Sequence, residues 1–267
     1  MVVLSRIIPF TIVLILLFSS ATFLYENSGN PELHRDAASF IPENATAVAF
    51  VNSEAANVFL FHSRKDSGII FSMKQISDAY LIPPIVKTGE SADINQVSCF
   101  QNFPVYRVDI TGNQSAGISG LPVIILSNFG ISSDNFTFAS PDPGVFIAGN
   151  ITSVETSLIS SSVREENSLL NDINYSAGFS FAYYINSSLA RTVSGNYTDN
   201  ILTATILTRS IQSAVAISLA LQYILGKGFI ALPTFDSVII LVPGNNSFIF
   251  LQYMLIKSIL SMDGVSV

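Results

Sequence analysis

The side chains best suited to catalysis are scarce in this sequence, and their order along the chain excludes common catalytic sites. The chain has two histidines, His34 and His62, and one cysteine, Cys99. No histidine follows His62, so Ser180 in the segment 178–182 lacks the downstream histidine of an α/β-hydrolase and is interpreted as a strand residue. Two histidines and one cysteine are also too few for a usual structural zinc site. The sequence therefore predicts no catalytic residue, no metal site and no cofactor.

Carboxylate pairs are the remaining route to hydrolytic chemistry. The triplet Asp66-Ser67-Gly68 matches the Asp-Ser/Thr-Gly signature of aspartic proteases, but those enzymes need two carboxylates that share one proton. The triplet occurs once and follows Arg64 and Lys65, so we interpret it as a hydrophilic turn. An extracytoplasmic acid-type hydrolase stays as an alternative if two of four other aspartates converge: Asp109, Asp142, Asp199 and Asp236.

An aromatic run at 179–184 offers a second alternative function. In an extracytoplasmic ligand-binding module, Tyr183 or Tyr184 would line a concave pocket. The competing interpretation is that these side chains fill both faces of a central strand.

Asn-x-Ser/Thr sequons are the most frequent motif in the chain. They occur about twice as often as random placement of the same residues would give, and several lie in turn-like contexts. A sequon marks an asparagine for glycosylation only in an exported protein. The glycosylation candidates are Asn44, Asn113, Asn135, Asn150, Asn174, Asn186, Asn196 and Asn245.

An uncharged apolar segment, 7–24, precedes every sequon. As a helix it would span roughly 27 Å, close to the thickness of a bilayer core. Arg6 precedes the segment and Glu26 is the first charge after it, so residues 1–6 are predicted to be cytoplasmic and the rest extracytoplasmic. The alternative is a signal peptide cleaved after Ala21, which would make the protein secreted.

The composition excludes a nucleic-acid partner. The chain has 12 basic and 19 acidic side chains, a net charge of -7, and only 12% charged residues. It lacks the basic face that phosphate binding needs. Hydroxyl and amide side chains replace charges on its surface, which suits either a glycosylated protein or one that works in acid. With a single cysteine, the chain forms no intrachain disulfide.

Hydrophobic patterning predicts an α+β fold with a mixed, mainly antiparallel sheet packed by helices. Two predicted helices lie at 153–163, with Ser153 at the N-cap, and at 210–225; a third lies at 247–262. The segment 210–225 has a second membrane crossing as its alternative. Predicted strands are 45–52, 105–111, 122–128, 145–149, 178–186, 200–208 and 237–242.

Short similar strings in the two halves of the chain suggest an internal duplication. The string at 49–53 resembles 183–187, and Val-Ile-Ile-Leu occurs at both 123–126 and 238–241. The predicted organisation is a cytoplasmic N-terminus at 1–6, a transmembrane signal anchor (or signal peptide) at 7–24, a juxtamembrane linker at 25–36, and two extracytoplasmic halves at 37–164 and 165–267.

These observations favour a non-enzymatic, membrane-anchored cell-surface glycoprotein with an envelope or partner-binding role. Its expected partners are the membrane, through the N-terminal helix, and envelope proteins or glycans. The sequence predicts no oligomeric state.

Overall fold

The structure, a computed structural model, describes residues 37–52, 56–63, 66–73, 92–110, 117–118, 121–122, 137–142, 144–163, 167–185, 187–225 and 229–244. The chain divides into two compact units. The first comprises Met1–Ala45 and Val51–Ser168, and the second comprises Thr46–Phe50 and Leu169–Val267. Among the described residues, no helix has both the length and the apolarity to cross a membrane. The predicted anchor, the linker and the helix at 247–262 lie outside the described residues.

The predicted α+β class is wrong, because the described residues form mainly antiparallel β-sheet with two α-helices. Both helices, α1 (Ile151–Val163) and α2 (Ile211–Leu225), occupy predicted positions. The difference comes from strands that the patterning missed: Ala56–His62, Ser67–Met73, Ala92–Phe100, Gly117–Ile118, Thr137–Asp142, Ala190–Thr198 and Ile230–Pro233. Of the predicted strand at 122–128, only Pro122 is described, at the end of a two-residue strand.

The first unit is built on a sheet in which every neighbouring pair runs antiparallel. Its strand order is β2-β3-β9-β8-β5-β4. A separate two-stranded ribbon joins β6 and β7. The strands of this unit are β2 (Ala56–His62), β3 (Ser67–Met73), β4 (Ala92–Phe100), β5 (Phe103–Ile110), β6 (Gly117–Ile118), β7 (Leu121–Pro122), β8 (Thr137–Asp142) and β9 (Val145–Gly149).

The core of the first unit lies around β3 and β9. Ile69 and Ile70 are consecutive and both are buried, so β3 is covered on both faces, which explains its continuous apolar run. Ile70 pairs across the sheet with Ile147 of β9. Helix α1 packs along β9 and β8 and buries Val154 and Leu158.

The second unit has five successive antiparallel neighbours in the order β13-β14-β12-β11-β10, and β1 lies beside β10. The amide of Tyr184 donates to the carbonyl of Thr46 at this last junction, 2.9 Å away. A 3-10 helix, Ser168–Asp172, leads into β10. The strands are β1 (Ala47–Asn52, of which residues 47–50 belong to this unit), β10 (Phe179–Tyr184), β11 (Ala190–Thr198), β12 (Ile201–Thr208), β13 (Ile230–Pro233) and β14 (Ser237–Pro243).

Strict alternation in β12 gives this sheet an inner and an outer face. Leu202, Ala204 and Ile206 are buried, whereas the residues between them are partly exposed. Register places the inner positions of β10, β11 and β14 beside them. The outer face of β11 carries hydroxyl and amide side chains: Thr192, Ser194, Asn196 and Thr198.

Helix α2 packs against the edge strand β13. The Ser218 hydroxyl and the Gln222 amide both donate to the carbonyl of Ala231, at 2.9 and 3.2 Å. These two bonds fasten α2 to β13. The 15 residues of α2 therefore form a packed helix of the second unit.

Candidate functional site

The predicted site residues are the sequon asparagines, and the structure describes four of them. Asn44 and Asn174 are exposed, whereas Asn150 and Asn196 are half-buried. The other four, Asn113, Asn135, Asn186 and Asn245, lie outside the described residues.

Asn174 lies in a turn formed by its own sequon. Its side-chain oxygen accepts a hydrogen bond from the amide of Ser176, two residues on, at 3.0 Å. This Asx turn spans all three sequon residues. The turn is fixed at both ends, because the amide of Ala177 donates to the Asn174 carbonyl and the Ser180 hydroxyl accepts from the Asn174 amide. The Asn174 side chain is thus held at the surface by a rigid turn.

Asn44 also lies in a fixed turn, in the first unit. The amide of Ala45 donates to the carbonyl of Pro42 at 3.0 Å. The side-chain amide of Asn167, itself only 1% exposed, donates to the carbonyls of Pro42, Glu43 and Ala45 at 2.8 to 3.0 Å. A buried amide therefore holds the turn while Asn44 faces solvent.

Asn150 serves as the N-cap of α1. Its side-chain oxygen accepts from the amide of Ser153 at 2.7 Å, the bond expected of an N-cap. Its side-chain nitrogen donates to Asp66 at 3.5 Å. The predicted cap, Ser153, instead lies inside the helix, where its hydroxyl donates to the carbonyl of Ser67 at 2.9 Å. Both polar atoms of Asn150 are thus engaged in the fold.

Asn196 lies within the sheet of the second unit. It is on β11, between Ser180 of β10 and Thr203 of β12, and both neighbours pair with it in register. A sugar on Asn196 would project from the middle of the sheet's outer face rather than from a turn.

The aspartates proposed as a carboxylate pair do not converge within either unit. Asp199 lies in the β11–β12 turn, while the carbonyl of Asp236 accepts from Thr208 at the other end of β12, so the two are roughly 20 Å apart. In the first unit, Tyr106 of β5 pairs with Phe138 of β8. Asp109 and Asp142 extend from this pair in opposite directions, again roughly 20 Å apart.

The aromatic run of β10 belongs to the core. Phe179, Phe181 and Tyr183 are at most 3% exposed, and their rings follow one another at centroid separations of 5.9 and 6.1 Å. Burial raises the pKa of the Tyr183 phenol. Tyr184 points to the other face and is 38% exposed. The buried rings are therefore not available to line an open pocket.

A serine–histidine pair that the sequence analysis overlooked lies at the end of the β2–β3 hairpin. His62 Nδ1 and Ser67 Oγ are 2.7 Å apart, as in an activated nucleophile. The turn between them is closed by the amide of Ser63, which donates to the carbonyl of Asp66 at 2.7 Å. The Ser153 hydroxyl donates to the Ser67 carbonyl, so the end of the hairpin is fastened to α1. His62 and Ser67 lie opposite each other because of the register of the β2–β3 hairpin, and no sequence motif indicates this pairing.

The described part of the chain contains no set of side chains arranged to bind a metal ion. No group of three or more His, Cys, Asp or Glu side chains there is arranged to hold an ion. Cys99 is a free, exposed thiol on β4.

Comparison with known proteins identifies no family. No protein-family model matches the chain, and no curated protein matches it. Among solved structures, crystal form I of TP0453 aligns with a TM-score of 0.44 at 7% identity, covering 82% of this chain and 97% of the other. Crystal form III of TP0453 aligns at 0.46 and 9% identity, covering 84% and 97%. Likeness of this degree assigns neither fold family nor function.

Proposed function

We propose that the protein is a non-enzymatic, membrane-anchored glycoprotein of the cell surface. In this proposal the segment 7–24 anchors the chain, the described units lie outside the cytoplasm, and sugars on turn asparagines supply the polar surface that charged side chains usually provide. Envelope proteins or glycans are its partners.

The Asx turn at Asn174 is the observation that carries the proposal. It presents the side chain of a complete sequon at an exposed and rigid turn, and Asn44 repeats that exposure in the other unit. The low charge density agrees with this reading, because only 12% of residues are charged. Within each unit the aspartates are too far apart to form a carboxylate pair. Burial of Phe179, Phe181 and Tyr183 leaves only Tyr184 of this run exposed for the ligand-binding alternative.

Intact-mass spectrometry of the full chain from its native membrane fraction tests the proposal. We expect an N-terminus at Met1 or Val2 and mass additions that chemical deglycosylation removes. Ser176→Ala and Thr46→Ala should each remove one glycan, because each abolishes a sequon without changing its asparagine.

Thr152→Ala is the matched control. It abolishes the sequon of Asn150, whose side chain is engaged in capping α1, so the mass should change only by the substitution itself. A chain without sugars would contradict the glycoprotein assignment. A chain that begins at Thr22 would contradict the anchor.

A further inference from the structure

Two buried polar side chains face each other across the β2–β3 hairpin in the core of the first unit. Asn57 of β2 pairs in register with Ser72 of β3, and both residues are 0% exposed. Neither polar atom of the Asn57 amide has a hydrogen-bond partner among the described residues, and the Ser72 hydroxyl has none there either. Buried polar side chains in native proteins are nearly always hydrogen-bonded. Three such atoms at one place therefore indicate a bound group that they share.

This pair lies on the face of the sheet that α1 covers. A Cβ at Gly149 would lie 3.1 Å from Ser153 Cβ, so the face to which Gly149 belongs is the one beneath α1. Alternation along β9, and pairing with β3 and β2, put Ser72 and Asn57 on the same face. The side chains next to the pair on this face are apolar and buried: Phe59, Ile70, Val145 and Ile147.

The surroundings of the pair restrict what can bind there. Strands β2, β3 and β9 carry no Asp, Glu, Lys or Arg, so a buried ion would find no opposite charge on them. Complete burial of Asn57 and Ser72 excludes a ligand that extends to the surface. Ser72 has a short side chain between the larger Asn57 and Val145, so the bound group would lie above its hydroxyl. A small, neutral and fully enclosed molecule meets these conditions.

The three polar atoms match the hydrogen-bonding capacity of water. A water molecule can accept from the Nδ2 hydrogen that lies on the same side as Oδ1 while it donates to Oδ1, and its second hydrogen is then left for Ser72 Oγ. Internal waters typically make about three hydrogen bonds to buried polar groups. A direct bond between Ser72 and the Asn57 amide would satisfy only one of the two amide atoms.

We propose that Asn57 and Ser72 form an internal site for one water molecule, which bridges Asn57 Oδ1, Asn57 Nδ2 and Ser72 Oγ. The site also specifies the register of β2 against β3. A slip of one residue would turn Asn57 to the other face of the sheet and separate it from Ser72. The inference concerns the interior of the first unit and does not depend on the proposed function.

Oxygen-17 relaxation dispersion of the full chain in detergent tests the proposal, because it counts water molecules that stay inside a protein for longer than the protein tumbles. Ser72→Val removes the hydroxyl and fills its place, and it should lose about one long-lived water per chain. Asn57→Leu keeps a similar shape without polar atoms and should lose the same water. The double variant should lose no more than either single variant.

Ser157→Ala is the matched control. Ser157 of α1 is also 0% exposed, and its hydroxyl has no partner among the described residues. It lies in a helix, where a serine hydroxyl can turn to the carbonyl four residues earlier without a water. The water count of Ser157→Ala should therefore equal that of the unsubstituted chain. Circular dichroism checks that each variant is folded.

Three results would overturn the proposal: an unchanged water count in Ser72→Val and Asn57→Leu, an equal loss in Ser157→Ala, or additive losses in the double variant, which would show two separate sites. A crystal structure of the unsubstituted chain provides a check that needs no variant to fold. It should show water density within hydrogen-bond distance of all three atoms. A direct contact between Asn57 and Ser72 without such density would contradict the site.

Discussion

At the scale of single residues, Asn167 shows how one buried amide can hold a surface turn. Its side-chain nitrogen faces three backbone carbonyls, of Pro42, Glu43 and Ala45. We expect Asn167→Asp, which keeps the shape but replaces a donor with a negative acceptor, to lower the free energy of unfolding by about 3–5 kcal/mol at neutral pH. Urea unfolding followed by circular dichroism measures the change.

The matched comparison is Asn167→Ala, which removes the donor without adding charge and should cost about 1–3 kcal/mol. The nearly isosteric aspartate should therefore be worse than the much smaller alanine. If alanine proves the more damaging substitution, volume rather than hydrogen-bond polarity governs the site.

Asp172, in the 3-10 helix before β10, links stability to pH. The side chain is exposed, yet partial desolvation of its carboxyl raises its pKa above 3.8. The folded chain thus holds this proton more tightly than the unfolded chain, so the contribution to stability is present below pH 3.8 and is lost as the pH rises through the raised value. Asp172→Asn should raise the unfolding temperature slightly at pH 7, because solvent screens a carboxyl this exposed, and should leave it unchanged at pH 3.

A control for overall charge is Asp236→Asn, which removes the same charge from an exposed turn. Calorimetric scans of both variants from pH 3 to 7 separate the effects. An equal gain from Asp236→Asn would assign the stabilisation to net charge and not to the partial desolvation of the Asp172 carboxyl.

At the scale of elements, the sequence predicted some strands whose inner and outer positions are both apolar or β-branched, but it missed β2 and β3, which are equally apolar. The run Val238–Val242 of β14 is one of the predicted cases. Strand β11 was missed because Arg191, Gly195 and Asn196 have low strand propensity, and pairing with β10 and β12 on either side outweighs that propensity. Because such strands were not predicted, the sequence analysis gave an α+β class, whereas the described residues form mainly antiparallel sheet.

Gly195 is required by the register of β10, β11 and β12. A Cβ there would lie 2.8 Å from Phe181 Cζ and 2.8 Å from the carbonyl oxygen of Thr203. Since the Thr203 oxygen belongs to a paired backbone, it cannot move away cheaply. Gly195→Ala should therefore lower the free energy of unfolding by about 1–3 kcal/mol, measured in urea.

Ser194→Ala provides the control for Gly195→Ala, because Ser194 is the neighbouring residue on the outer face and is half-exposed. Its effect should stay within about 0.5 kcal/mol. Similar losses from both variants would contradict a specific requirement for glycine.

Candidate sites were less predictable than strands, because they depend on pairings between distant residues. The sequons identify Asn44, Asn150 and Asn174 as equivalent motifs, yet only tertiary contacts distinguish a free-standing turn from a cap. Asn150 became the cap of α1 because Asp66 and Ser67 of the β2–β3 hairpin fix the two ends of its hydrogen-bond network. The local sequence offers both Asn150 and Ser153 as favourable N-cap residues, and only the tertiary contacts decide between them.

At the scale of the whole molecule, the exposed thiol of Cys99 tests the proposed extracytoplasmic location of the first unit. It is the chain's single cysteine, so a membrane-impermeant maleimide applied to intact cells should label the full chain at one position. Cys99→Ser should abolish the label. Ser5→Cys in that background places the thiol before the predicted anchor, and it should be labelled only after the cells are permeabilised. Cys99 labelling only after permeabilisation would reverse the proposed orientation, whereas labelling of both positions on intact cells would contradict a membrane crossing between them.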